Sequence, residues 1–124
     1  MTQILIDIPR EWWWSANDRL HWAVIAKRKR PCRKAAALIG RGVRVGYDNA
    51  QVTAYVAYPK GTGRADPHNV ASTVIKAVID GLVTDAGLLP DDDHRHLLVI
   101  PDRDTNTCTK NYRIRLVFEP RRRA

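Results

Sequence analysis

Apolar residues recur every four positions in one stretch of this chain: Val70, Val74, Val78 and Leu82, with Ala71, Ile75, Ile79 and Val83 beside them. Only a helix gathers such a set on one side, as a wide apolar stripe. The spacing predicts a helix over 67–84, with Asp66 as N-cap, Pro67 at the first helical position and Gly87 beyond its end. Asn69, Thr73, Lys76 and Asp80 fall on another face of it.

The apolar stripe needs a cover, and four alternating stretches supply one. Ile4, Ile6 and Ile8 predict a strand over 3–8, closed by Pro9. Val52, Ala54, Val56 and Tyr58 predict a second over 49–58. The run H-L-L-V-I-P predicts a third over 96–101. Tyr112, Ile114, Leu116 and Phe118 predict a fourth over 110–120. Between the first two strands, Pro31 suits the first turn of a helix running through the alanines to about Ile39, where Gly40 or Gly42 stops it. That places the basic block Lys27–Lys34 around the helix entrance. The order is β-α-β-α-β-β, and the fold class is α+β: a four-stranded mixed sheet with two helices packed on it. The 124 residues make one domain, 1–124, with no repeat or linker.

Charge narrows the partners. Lys and Arg total 21 against 13 Asp and Glu, a formal net charge of +8. Such an excess points to a polyanion, nucleic acid before an anionic membrane. The basic residues cluster at 27–34, at Arg41 and Arg44, and at 121–123. No run approaches the ~18 apolar residues of a membrane span, and the first residues lack the pattern of a signal peptide. Cys32 and Cys108 have no metal-ligand spacing and read as reduced thiols. Cytoplasmic residence is the expectation.

Acids sit at both ends of the long helix and cluster at 91–93. Asp66 precedes the long helix, and Asp91, Asp92 and Asp93 follow it. Each has a plain reading. Asp66 caps a helix, Asp80 pairs with Lys76 four residues earlier, and D-D-D is a solvated turn. Three adjacent carboxylates repel one another, however, and a hard cation relieves that repulsion. Oxygen ligands favour Mg²⁺, with Mn²⁺ as its substitute. A straight helix over 67–84 is about 27 Å long at ~1.5 Å per residue. Residues 85–92 span at most roughly 27 Å. Asp91 and Asp92 therefore reach Asp66 in one subunit only by running straight back. Otherwise they meet Lys76 or Asp80, or serve a second subunit. The run Trp12-Trp13-Trp14 cannot all face one core, so it includes a surface, interface or base-stacking residue.

The residues S-A-N-D-R-L-H-W (15–22), R-A-D-P-H-N (64–69), K-A-V-I-D-G-L (76–82) and L-L-P-D-D-D-H (88–94) together resemble the RusA family of Holliday junction resolvases, in the forms carried by actinobacterial phages. The resemblance implies a RusA-like homodimer that binds branched DNA, the four-way junction, and makes paired Mg²⁺-dependent nicks. It implies catalytic roles for Asp66, Lys76, Asp91 and Asp92. It implies a metal site of Asp66, Asp91 and Asp92. His68 stands where the family commonly has a second acid. It is either a nitrogen ligand or a gap in the ligand set that Asp93 could fill. DNA contacts are expected from Arg19, Lys27, Arg28, Lys29, Arg30, Arg33, Lys34, Arg64 and Asn69. The rivals are a basic DNA-binding module without catalysis and a dimeric RNA-binding protein.

Overall fold

The structure is a computed structural model and describes residues 2–43, 49–62, 65–89, 97–104 and 110–121. The predicted order holds. Strand β1 (Thr2–Ile8) leads through a 3₁₀ turn (Arg10–Trp12) to helix α1 (Trp22–Gly40) and strand β2 (Ala50–Ala57). A 3₁₀ turn (Pro67–Val70), helix α2 (Val74–Ile79) and a π-helical turn (Asp80–Asp85) precede β3 (Leu97–Arg103) and β4 (Tyr112–Pro120). The sheet order is β1-β4-β2-β3. β4 runs antiparallel to β1 and β2, whereas β2 and β3 are parallel. Thus β1, β2 and β3 all point one way, and the last strand inserts among them. Parallel neighbours need a crossover, and the 67–85 segment provides it between β2 and β3.

One face of the sheet makes the core. Ile4, Ile6 and Ile8 from β1, Val52, Ala54 and Val56 from β2, and Ile114, Leu116 and Phe118 from β4 are all buried. The register sets Ile4 opposite Leu116, and Leu116 opposite Ala54, so the buried rows align across three strands. Val70, Val74, Val78 and Leu82 are buried against them. At roughly 1.5–3 kcal/mol for each large apolar side chain removed from water, this shared face is the main stabilising term.

Three expectations change. Helix α1 begins nine residues before Pro31. His21 is extended, and its Nδ1 accepts from the Ala23 N–H at 3.1 Å, which caps the first turn. Pro31 sits inside the helix, where its missing N–H costs about 3 kcal/mol. Burial of Cys32, Ala36, Ala37 and Gly40 beyond it offsets that cost. The basic block therefore lies along the helix body and not around its entrance. Secondly, 67–84 is not one α-helix. Thr73 leaves helical geometry (φ −113°, ψ −100°), and its hydroxyl donates to the Trp14 carbonyl at 2.9 Å. The straight-rod length estimate fails with it. Lastly, Trp13 and Trp14 are buried and Trp12 packs partly against the core. A 3₁₀ turn followed by an extended Trp13 swings successive side chains inward. The exposed indole is Trp22, 75% accessible at the start of α1.

The helices meet through small residues. A Cβ added to Gly81 would lie 2.3 Å from the Arg33 carbonyl oxygen and 2.8 Å from Ala36 Cβ. The Arg33 guanidinium also reaches Asp85 through two bonds, 2.6 and 2.9 Å, holding α1 to the π-helical turn. That contact keeps the Asp85 carboxyl below its ordinary range.

Candidate active site

Because β1 and β2 point the same way, the chain leaves both at one edge of the sheet, where β4 enters. Ile8 pairs with Tyr112 there, and Ala57 with Arg113. Trp13 follows β1, Tyr58 follows β2, and Tyr112 opens β4. These three rings pack together. Trp13 and Tyr112 stack with centroids 3.9 Å apart, and Tyr58 meets them edge-on at 6.1 and 6.0 Å. Arg103, from the end of β3, lies 5.0 Å over the Tyr58 ring and donates to the Ala65 carbonyl at 3.4 Å. Burial, with Asp66 nearby as a lesser cause, pushes the Tyr58 hydroxyl up to about 12, so it stays protonated.

Above the rings is a depression of about 320 Å³, lined by Trp13, Tyr58, Tyr112, Ser15, Asn17, Asp18, Thr62, Asp66 and Asn69, among others. Its two walls are tied together. The Ala16 N–H donates to the Asn69 carbonyl at 2.7 Å. The Ser15 N–H donates to Asp18 Oδ2 at 2.9 Å, and the Asn17 N–H to Ser15 Oγ at 3.3 Å. The loop 15–18 is thus folded on its own side chains and fastened to the turn that carries Asp66.

Asp66 is extended (φ −102°, ψ 117°) and its side chain is 60% exposed. Oδ1 accepts from the His68 N–H at 3.0 Å and lies 3.1 Å from His68 Nδ1. So the capping reading of Asp66 holds. The same bonds, the backbone one foremost, hold its carboxyl below the usual carboxylate range. Capping does not exhaust the group, because Oδ2 has no partner among the described residues. His68 turns Nδ1 toward Asp66, which leaves Nε2 as its outward nitrogen.

The remaining candidates are dispersed. Lys76 Nζ is 2.9 Å from Asp80, as the plain reading of that pair expects. Lys76 also lines a separate apolar depression of about 240 Å³ with Ala71, Ile75, Ile79 and Val99, away from the Asp66 depression. Asp91, Asp92, Asp93 and Arg64 lie outside the described residues, as do Cys108 and most of the Arg121–Arg123 tail. Among the described residues no group of three His, Cys, Asp or Glu could hold a metal ion. Leu97 opens β3 opposite Ala50, at the end of the strands away from Asp66. An extended chain from Leu97 back to Asp91 reaches at most about 20 Å.

Of the basic candidates, Arg28 donates to the Trp13 carbonyl and Arg33 is bound to Asp85. Arg19, Lys27, Lys29, Arg30 and Lys34 are exposed. Lys27, Arg30, Lys34 and Arg41 follow steps of three, four and seven, which stack on one helix side. Asn69 is half-buried in the depression wall.

Sequence reading missed Asp18, Asn17 and the three rings as neighbours of Asp66. Only the convergence of parallel strand ends brings them together. Asp18 and Asp66 supply hard oxygen donors of the kind Mg²⁺ or Mn²⁺ takes, though not a full set. Comparison with protein-family models finds no match, and comparison with curated proteins finds none. No helix among the described residues is long and apolar enough to cross a membrane.

Proposed function

We propose that this protein is a Mg²⁺-dependent, structure-selective endodeoxyribonuclease that resolves four-way DNA junctions by paired nicks, acting as a RusA-like homodimer. The observation that carries the reading is Asp66. It is a carboxylate whose charged form His68 favours, exposed, with Oδ2 unpartnered among the described residues, on the rim of a depression, in a chain of net charge +8. A second carboxylate, Asp18, lines the same depression.

In this reading the Lys27, Arg30, Lys34 side of α1 holds junction arms by their phosphates. Asp66, with Asp91 and Asp92, would hold the cation. A bound Mg²⁺ supplies charge neutralisation at the phosphate and a more acidic water. Asp66 is kept in its charged form by the His68 N–H and ring, so it stands ready as a ligand at neutral pH. His68 positions Asp66 through Nδ1. Lys76, half-exposed beside Asp80, would supply a positive charge to the phosphate. Twofold symmetry places equivalent sites on opposing strands.

The test compares Asp66→Asn, and separately Asp91→Asn with Asp92→Asn, against the unaltered protein on a labelled four-way junction. Both variants should bind the junction and cut it at least about a hundredfold more slowly, a loss of roughly 3 kcal/mol of transition-state stabilisation. Full cutting by either variant ends the assignment of those residues. If the unaltered protein binds but never cuts with Mg²⁺, it is a basic DNA-binding module. Preference for single-stranded RNA over the junction makes it an RNA-binding protein.

A further inference from the structure

The depression beside Asp66 is built for more than a cation. Its floor is aromatic, with Trp13 and Tyr112 stacked and Tyr58 edge-on to both. Its walls are polar. The carboxamides of Asn17 and Asn69 line it and have no hydrogen-bond partner among the described residues. Asp18 uses Oδ2 on the Ser15 N–H, and Oδ1 has no partner among the described residues. No Lys or Arg among the described residues lines the space, and two carboxylates do. Among the described residues, a phosphate placed inside would face two carboxylates and no lining Lys or Arg. The fitting occupant is neutral and flat, with apolar faces and a hydrogen-bonding edge. At about 320 Å³ the space is at the small end for ligand pockets, suited to one nucleoside-sized group.

We propose that this depression receives a single DNA base, unstacked at the junction beside the scissile phosphate, and reads its edge through Asn17, Asn69 and Asp18. Aromatic floors hold unstacked bases irrespective of sequence, whereas carboxamides and carboxylates discriminate among base edges. Asp18 Oδ1 accepts, so it pairs with a donor on the base edge, an exocyclic amine or a ring N–H. The pocket rests on the DNA reading above and adds to it a determinant of where the cut falls.

The experiment needs no catalysis. Four-way junctions carry 2-aminopurine, an amine-bearing fluorescent base, at each branch-point position in turn, and are titrated with protein in EDTA. The fluorescence change should be confined to one position in each equivalent pair of strands, as expected for a base leaving the stack. Asn17→Ala should reduce it about tenfold while the protein still binds the junction. Junction binding with no position-specific change, or a change that Asn17→Ala leaves intact, overturns the pocket and spares the nuclease reading. Absence of junction binding overturns both. Suppression of the signal by millimolar free dAMP, with the junction still bound, would make this a mononucleotide pocket and overturn the assignment to a DNA base.

Discussion

Gly81→Ala should destabilise the protein, although alanine is the better helix former. An ideal Cβ at this position meets the Arg33 carbonyl oxygen at 2.3 Å, Ala36 Cβ at 2.8 Å and the Ala37 nitrogen at 3.1 Å. The closest of these is backbone in the body of α1, so no rotamer change relieves it. The helices must separate by about 1 Å, an overpacking cost of up to about 3 kcal/mol. Helix propensity returns about 1 kcal/mol. The net loss is then about 2 kcal/mol, or a fall in Tm on the order of 10 °C for a domain of this size. Thermal unfolding followed by far-UV circular dichroism reads it directly. An unchanged or raised Tm would show that propensity governs this position and that α1 does not approach the π-helical turn as described.

Other expected outcomes separate charge from packing at the same residues. Asp66→Ala loses the cap on the 67–70 turn and should cost about 1 kcal/mol in urea unfolding, whereas Asp66→Asn keeps a capping oxygen and should cost a few tenths. The folded Asp66 carboxyl lies below its unfolded value. The gap between the unaltered protein and Asp66→Ala should therefore be full above about pH 4 and narrow by its charge-dependent part as pH falls through the depressed value, the part due to the capping oxygen remaining. A gap that widens on acidification contradicts this sign. Arg30→Ala with Lys34→Ala should lower the salt dependence of junction binding by about two counterions with little change in Tm. Arg28→Ala should do the reverse, because that guanidinium holds the Trp13 carbonyl.

Alternation made the four strands readable, since a half-buried sheet allows few other patterns. The buried rows Ile4–Leu116–Ala54 are those the spacing implied. The start of α1 was hidden because a histidine ring caps it, outside the usual Ser, Thr, Asp and Asn set, while Pro31 imitated a first turn. The break at Thr73 was hidden because a four-residue apolar step reads alike through α, 3₁₀ and π turns. Its cause is a tertiary bond to Trp14. Asp66 was visible as both cap and candidate ligand. Asp18 and the rings were not, because their meeting depends on β1 and β2 running parallel with β4 between them.

The central claim is that an acid-rimmed depression on a basic protein cuts branched DNA. End-labelled four-way junction incubated with the protein, once with Mg²⁺ and once with EDTA, tests it at nucleotide resolution. Paired, symmetric nicks in opposing strands near the branch point are expected with Mg²⁺ alone, and bound but intact junction with EDTA. Equal cutting under both conditions, or Mg²⁺ yielding bound and uncut DNA only, contradicts it.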